Sequence, residues 1–262
     1  MTTVADVLAF VETLAPRSMK ESWDKVGLNV GHLNRPVTKI LVALDPFDHV
    51  CREAKATGAQ LLVTHHTLLF HPGFVSDASA QGKNALFLIE NGIAHINAHT
   101  NLDLAPEGVN DALAARLELS QVRVLSPRGL DERGREWGLL RDGFVPEQSL
   151  PEFLAFVRQR LGCEGLRYVS GGKPVRHVAV GGGACCDEMG QAAEAGCDTF
   201  VTSDAKYNDF WDARDLGLNL IDAGHFYTEN PVIPLLAEKI AAAFPEVTVQ
   251  ISETHQDCMK FF

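Results

Sequence analysis

A repeat within the chain constrains the fold more than any other feature of the sequence. Residues 37–64 align without a gap on residues 175–202, and valines, an alanine, a glycine and a threonine recur at the aligned positions. Each copy predicts an apolar strand, a helix ended by glycine and a second apolar strand, which together form a βαβ unit. A duplicated βαβ unit favours an α/β fold with two related lobes. The alternative to a true duplication is that the two segments are similar by chance, because short βαβ segments often resemble one another.

A further strand extends the repeat in each half. Residues 92–98 resemble residues 217–223, and each segment leads into a histidine, His99 directly and His225 after one inserted residue. We predict mixed sheets flanked by helices. The first α/β lobe is placed at residues 1–125 and is completed by residues 230–262, and the second lobe is placed at residues 126–229.

Composition narrows the class of protein. Acidic residues outnumber basic ones 34 to 23, and the net charge of −11 disfavours binding to nucleic acids or anionic lipid surfaces. The apolar runs fall far short of the roughly 20 residues that span a bilayer, and the N-terminus lacks a basic segment followed by an apolar block. The six cysteines show no C-x-x-C spacing, which favours reduced thiols. We therefore expect a cytoplasmic protein that does not bind membranes.

Polar residues of types that bind metal ions lie in the segments that follow the predicted strands. In open α/β sheets, ligands bind beyond the carboxyl ends of the parallel strands, where loops from several strands meet. The residues in these positions are His65, His66, His99, Asp103, Asp204, His225 and Glu229. A single histidine after a strand is usually a capping or core residue, whereas this combination predicts a functional site.

The donor types in this group predict a metal centre. The expected ligands are His65, His66, Asp103, His225 and Glu229. Imidazole and carboxylate donors suit Zn, Fe, Mn, Co or Ni, and five donors suffice for two divalent ions. Adjacent residues on an extended strand project in different directions, so the two neighbouring histidines would serve one ion each. The two oxygens of Glu229 allow it to bridge the pair.

Two other residues are candidates for catalysis, Asp204 and His99, which would carry protons during a reaction. Alternatively, His99 orients a ligand through a hydrogen bond, and Asp204 does the same or caps the following helix. The Gly181-Gly-Gly183 segment predicts a tight turn in preference to a phosphate-binding loop. The histidines without clustered partners in the sequence, expected to be exposed or in the core, are His32, His49, His71, His95, His177 and His255.

Several motifs, in order along the chain, resemble those of the Nif-three-like dinuclear metal family, whose members are labelled GTP cyclohydrolase 1 type 2 homologues. The resemblance runs from about Val4 to Phe262. The motifs are Trp23-Asp-Lys-Val-Gly-Leu28, Val63-Thr-His-His66, His99-Thr-Asn-Leu-Asp103, Gly108-Val-Asn-Asp111, Thr202-Ser-Asp-Ala-Lys-Tyr207 and Asp222-Ala-Gly-His-Phe-Tyr-Thr-Glu229.

This resemblance implies two interlinked α/β lobes with a dinuclear site between them, and a toroidal homohexamer built as a trimer of dimers. It also implies the short form of the family, without an inserted central domain. The family pattern pairs His66 and Asp103 at one ion and His65 and His225 at the other, with Glu229 as the bridge.

Two positions depart from the family pattern. Where the family motif reads Thr-Gly-Asp-x-Lys-Tyr-His, this chain has Ser203 in place of the glycine and Asn208 in place of the histidine. If that histidine acts on the substrate, the departure puts the activity of this chain in doubt while leaving the metal ligands intact.

The leading functional hypothesis is a metal-dependent hydrolase, of the cyclohydrolase or phosphoesterase type, that acts on a small nucleotide-like or phosphorylated substrate. The second hypothesis is a non-catalytic metal-handling or adaptor protein. Interaction with nucleic acid through a central pore is a third hypothesis, which the net charge of −11 disfavours.

Overall fold

The structure is a computed structural model that describes residues 1–70 and 74–262, so His71 lies outside the described residues. The strands, in chain order, are β1 (Gly27–Val30), β2 (Lys39–Ala43), β3 (Leu61–Thr64), β4 (Ala94–Asn97), β5 (Ser120–Leu125), β6 (Gly129–Leu130), β7 (Glu136–Trp137), β8 (Leu140–Gln148), β9 (Arg167–Val169), β10 (Val175–Val180), β11 (Thr199–Thr202), β12 (Asn219–Asp222) and β13 (Thr248–Ile251).

The α-helices, in chain order, are α1 (Val4–Leu14), α2 (Asp48–Ala56), α3 (Ala80–Glu90), α4 (Thr100–Leu104), α5 (Val109–Arg116), α6 (Leu150–Leu161), α7 (Met189–Glu194), α8 (Tyr207–Asp215), α9 (His225–Glu229) and α10 (Val232–Ala243). Short 3₁₀ turns occupy Arg17–Met19 and Cys186–Glu188. Within the described residues, no helix is both long and apolar enough to cross a membrane.

The chain divides into two compact units, and unit 1 comprises Met1–Leu102 and Ile233–Gln256. Its five-stranded sheet has the order β1–β4–β3–β2–β13, with β1 antiparallel and the other strands parallel. Apolar residues of α2 and α3 pack on one face of β2 and β3 and form a core there. Because helices cover these central strands, the strand sequences are almost continuously apolar rather than alternating.

Unit 2 comprises Asp103–Val232 and Asp257–Phe262. Its six-stranded sheet has the order β5–β8–β10–β11–β12–β9, in which β10, β11 and β12 are parallel and the remaining pairs are antiparallel. Successive residues of β10 point to opposite faces of the sheet and enter different cores. Val178 packs with α6 on one face, and Ala179 packs with α7 and α8 on the other. The short strands β6 and β7 form a separate hairpin.

The predicted α/β fold and the repeated βαβ unit are confirmed. The segment β2–α2–β3 in unit 1 corresponds to β10–α7–β11 in unit 2, and both strand pairs are parallel. The extension of the repeat is also present, as β4 and β12. The predicted lobe boundaries, at residues 125/126 and 229/230, remain predictions. Strand β5, inside the predicted first lobe, pairs with β8 in the second sheet.

Candidate metal centre

Three histidines of unit 1 gather where two neighbouring parallel strands end. His65 and His66 directly follow β3, and His99 follows β4, which pairs with β3 in register from Leu61↔Ala94 to Thr64↔Asn97. The ring nitrogens that these residues offer lie within 4.8 Å of one another. Adjacent parallel strands therefore deliver the three imidazoles to one end of the sheet, as the strand-end argument predicts.

His65 is held by a backbone carbonyl. Its Nδ1 lies 2.8 Å from Ala98 O, and the side chain is fully buried. A carbonyl oxygen only accepts, so Nδ1 carries the proton and Nε2 carries the lone pair. This tautomer presents Nε2 as the nitrogen for metal binding.

His66 is held by a carboxylate. Its Nδ1 lies 2.7 Å from Asp45 Oδ1, while Asp45 Oδ2 lies 2.9 Å from His255 Nε2. Burial opposes ionisation of Asp45, but the hydrogen bonds from His255 and His66 outweigh it and hold the pKa of Asp45 well below its usual value. An ionised carboxylate on Nδ1 fixes the ring and makes Nε2 a more basic ligand.

His99 is held by a second buried carboxylate. Its Nδ1 lies 2.8 Å from Asp24 Oδ1, and the other oxygen of Asp24 accepts hydrogen bonds from the Thr100 amide and hydroxyl. Burial opposes ionisation of Asp24, yet the bonds from His99 and Thr100 keep its pKa well below its usual value. The rings of Trp23 and Phe70 each lie 6.2 Å from the His99 ring, and half of Trp23 is exposed. His99 thus adjoins both the histidine cluster and an aromatic surface.

The predicted ligands of unit 2 gather around Glu229. The single helical turn of α9 places His225 and Glu229 four residues apart on one face, with His225 Nε2 3.1 Å from Glu229 Oε2. Asp103 offers a carboxylate oxygen within 4.8 Å of one from Glu229. Asp103 and Glu229 are both buried. Glu229 is therefore placed between an imidazole and a second carboxylate, which suits a bridging ligand.

Asp204 orients His225. Asp204 Oδ2 lies 2.7 Å from His225 Nδ1, and Asp204 adopts a left-handed backbone conformation with φ of 55°. Helix α8 begins at Tyr207 with Lys206 as its N-cap, so Asp204 does not cap that helix. Of the alternatives open from the sequence, the geometry favours a hydrogen-bonding partner that fixes the His225 ring.

The glycine-rich turn leaves room for Glu229. Gly183 has φ of 67°, and a Cβ atom at this position would overlap Glu229 Oε1 and come 3.3 Å from His225 Cε1. A Cβ at Gly182 would lie 3.4 Å from Glu229 Cγ and 2.8 Å from a methyl of Val109. The tight turn that the sequence favours is thus present, and its missing side chains leave space for the ligands.

Asn110 ties this turn to Asp103. Its side chain is fully buried, donates to the Asp103 carbonyl at 3.1 Å and accepts from the Gly182 amide at 2.7 Å. The neighbouring Asp111 pairs with Arg141, which is fully buried on β8 and also donates to Ala105 O. These contacts explain the Gly108-Val-Asn-Asp111 motif as a framework that holds the Asp103 segment.

Sequence reasoning missed Asp24 and Asp45, which hold His99 and His66, and it missed the side-chain partners of several other histidines. His255 contacts Asp45, and His177 lies with Asp142 and Cys197, although the expectation from the sequence was that neither histidine has a clustered partner. A usable signal existed for Asp45, because it is the second residue after β2, as His66 is the second residue after β3. The partners of His255 and His177 are 210 and 35 positions away, so no local pattern reveals them.

Comparison with known proteins identifies the family. The sequence profile of Duf34/NIF3 (NGG1p interacting factor 3) matches residues 2–258. The chain belongs to the Duf34/NIF3 family. This membership confirms the resemblance inferred from the motifs.

Two curated relatives match this chain over most of their own length. A protein from Clostridium perfringens is 33% identical over 98% of this chain and 98% of its own, and one from Streptomyces coelicolor is 38% identical over 92% and 86%. Both carry the name "GTP cyclohydrolase 1 type 2 homolog". The crystal structure of a Bacillus cereus protein related to NIF3 superposes with a TM-score of 0.93 at 26% identity, covering 100% of this chain and 99% of that one.

Proposed function

We propose that this chain binds two divalent metal ions and hydrolyses a small nucleotide-like or phosphorylated substrate. The proposed ligands are His65, His66, Asp103, His225 and Glu229. One observation carries the proposal: each proposed histidine ligand has an oxygen atom 2.7–2.8 Å from its Nδ1. The oxygen belongs to the Ala98 carbonyl for His65, to Asp45 for His66 and to Asp204 for His225. Oxygen partners on Nδ1 are typical of metal-binding histidines, because they turn Nε2 toward the ion and fix its lone pair.

The donor chemistry fits two ions. Three Nε2 atoms and two carboxylates form a set that Zn, Fe, Mn, Co and Ni accept. Glu229 has Asp103 and His225 as neighbours, and Gly183 leaves space beside its carboxylate. Divalent ions bound there would lower the pKa of a bound water and polarise the substrate.

The remaining polar groups would orient the ligands and move protons. Asp204 holds His225, and Asp24 holds His99 with Nε2 as the nitrogen turned away from that carboxylate. His99 therefore is the group best placed in unit 1 to exchange a proton with a substrate, whereas the contact of Asp204 with His225 Nδ1 makes orientation of that ring its main role.

The aromatic surface beside His99 supports a planar substrate. Trp23 and Phe70 contact each other edge-on, with ring centroids 5.7 Å apart, and Trp23 is 51% exposed. Such rings bind flat heterocycles by stacking. The name of the two relatives makes GTP the first nucleotide to test. Phosphoester hydrolysis is equally compatible with two divalent ions.

The test combines metal content with turnover. Elemental mass spectrometry on untagged protein should find at least two divalent ions per chain, and fewer in His65→Ala and Glu229→Ala than in wild type. GTP and a chromogenic phosphoester would then be offered to the metal-loaded protein. His32→Ala, at an exposed histidine, is the control and should retain both metal and turnover. Metal-free wild-type protein after anaerobic reconstitution would overturn the proposal.

The second candidate is a non-catalytic metal-handling or adaptor protein. It is favoured by the replacement of the family histidine with Asn208, whose side chain is exposed at the start of α8. Two slowly exchanging ions without turnover of either substrate would support this candidate. Gain of turnover in Asn208→His would instead show that the substitution, and not the fold, had removed the activity.

We also propose a homohexamer, built as a trimer of dimers, located in the cytoplasm and acting without nucleic acid. Exposed aromatic residues on unit 2, including Tyr168, Trp211 and Phe261, supply apolar surface of the kind that subunit interfaces use. The net charge of −11 supports the absence of a nucleic-acid partner. Sedimentation equilibrium measures the oligomer directly.

A further inference from the structure

A separate group of metal-binding side chains lies on the six-stranded sheet of unit 2. Asp142 on β8, His177 on β10 and Cys197 just before β11 offer donor atoms that all lie within 4.8 Å of one another. None of these residues belongs to the ligand set proposed above. We propose that Asp142, His177 and Cys197 form a distinct mononuclear site for Zn²⁺ or a similar divalent ion that accepts sulfur.

The three donors converge on one nitrogen. His177 Nε2 lies 2.6 Å from Asp142 Oδ2 and 3.6 Å from Cys197 Sγ. A zinc ion sits about 2.0–2.3 Å from its ligands, which in a tetrahedral site lie roughly 3–4 Å from one another, close to the present separations of 2.6 and 3.6 Å. Small side-chain rotations therefore suffice to place all three atoms around one ion.

The positions are rigid because the sheet sets them. His177 pairs with Phe144 in the β8–β10 register, and the two rings stack with centroids 4.4 Å apart. The His177 amide donates to Asp198 Oδ2 at 2.7 Å, which fixes the backbone next to Cys197. A site built on strands holds its ligands more tightly than a site on loops.

The donor types and their burial suit zinc. Asp142 is fully buried, Cys197 is 3% exposed and the His177 side chain is 13% exposed. Burial raises the pKa of the Cys197 thiol to about 12, so the sulfur is protonated without an ion. On binding, the ion would replace the thiol proton, which leaves to solvent, and the proton that His177 Nε2 donates to Asp142 would move to Nδ1, so that zinc–thiolate and zinc–imidazole bonds form. Three protein ligands leave a fourth position for water or another small ligand.

Arg123 balances the charge of this site. Its guanidinium makes a bidentate pair with Asp142 from the edge strand β5 and is itself 61% exposed. The arginine neutralises the carboxylate, so an added thiolate and divalent ion would leave a net charge of about +1. The competing explanation is an Arg–Asp–His ion network in which Cys197 only fills the core. The two explanations differ in whether the sulfur binds the ion.

Cys186 provides a matched control for Cys197. It lies in the same apolar core, is 6% exposed, and burial likewise raises its thiol pKa to about 12. Its sulfur instead lies 3.6 Å from the Ser203 carbonyl. Cys186→Ser and Cys197→Ser therefore each replace a buried thiol in the same core. Only Cys197 lies beside an imidazole, that of His177.

Cobalt substitution tests the proposal. Metal-free full-length protein is titrated with Co²⁺ and the near-ultraviolet spectrum is searched for a sulfur-to-cobalt charge-transfer band, which Zn²⁺ should bleach. The band should appear in wild type and in Cys186→Ser and disappear in Cys197→Ser and His177→Gln. Circular dichroism confirms folding of each variant. The absence of the band in wild type, or its retention in Cys197→Ser, would overturn the proposal.

The result is independent of the dinuclear centre. His225→Ala should reduce the total cobalt bound and leave the sulfur band intact. A lower ratio of bound cobalt to protein with a retained sulfur band would separate the two sites. A wild-type protein that binds cobalt without any sulfur band would retain the dinuclear proposal and reject this one.

Discussion

Asp45 Oδ1 lies 2.7 Å from His66 Nδ1, so a buried carboxylate stands directly behind one proposed metal ligand. Asp45→Asn keeps the shape but removes the negative charge that makes the imidazole basic. We expect metal affinity to fall roughly 10- to 100-fold, measured by competition with a chromophoric chelator. Asp48→Asn, at an exposed residue that pairs with Arg52, is the control. Equal affinities in Asp45→Asn and wild type would contradict the role given to Asp45.

Gly183→Ala should weaken metal binding by displacing Glu229. The new Cβ would overlap Glu229 Oε1 and would also hold an alanine at φ of 67°. Gly162→Ala is the matched control, since it has φ of 72° but open space around the added Cβ. Both variants should lose about 1 kcal/mol of stability from backbone strain. Only Gly183→Ala should lose metal, measured by elemental mass spectrometry, and equal metal in the two variants would be contrary evidence.

Arg141→Met should destabilise unit 2 strongly. The arginine side chain is 1% exposed, pairs with Asp111 and donates to the carbonyls of Gly138 and Ala105. Its removal takes the ion-pair partner from Asp111, which keeps the Glu107 amide, and a donor from buried carbonyls, which should cost about 3–5 kcal/mol. Denaturant unfolding measures the loss. Arg52→Met, which removes an exposed ion pair on α2, should have little effect.

His95 should make the protein sensitive to acid. Burial lowers the pKa of His95 to about 3 from an ordinary value of 6.5, so the folded state keeps the ring neutral while the unfolded state takes up a proton. The free energy of unfolding therefore does not change through His95 above pH 6.5. It falls as the pH drops from 6.5 toward 3, by up to about 1.4 kcal/mol per pH unit. The free energy of unfolding should depend less on pH in His95→Gln over this range. His32→Gln, at an exposed position, should follow wild type.

The repeated βαβ unit was predictable because its signals are local. Apolar runs, a helix-ending glycine and the residue after each strand are visible within short segments, and they led to His65, His66 and His225. The contacts that the supporting residues make were not predictable in this way. Asp142 lies 35 positions from His177 and Asp45 lies 210 positions from His255, and the contacts depend on which strands become neighbours. The order of strands in a sheet depends on packing between distant segments of the chain, and local sequence patterns do not reveal it.

The segmented composition of the two units limits how the chain can vary in evolution. Unit 1 combines Met1–Leu102 with Ile233–Gln256, and unit 2 combines Asp103–Val232 with Asp257–Phe262. A single gene breakpoint near residue 232 would remove β13, which forms the edge of the first sheet beside β2. Neither unit is one uninterrupted segment of the chain, so recombination cannot exchange a complete unit as a single cassette.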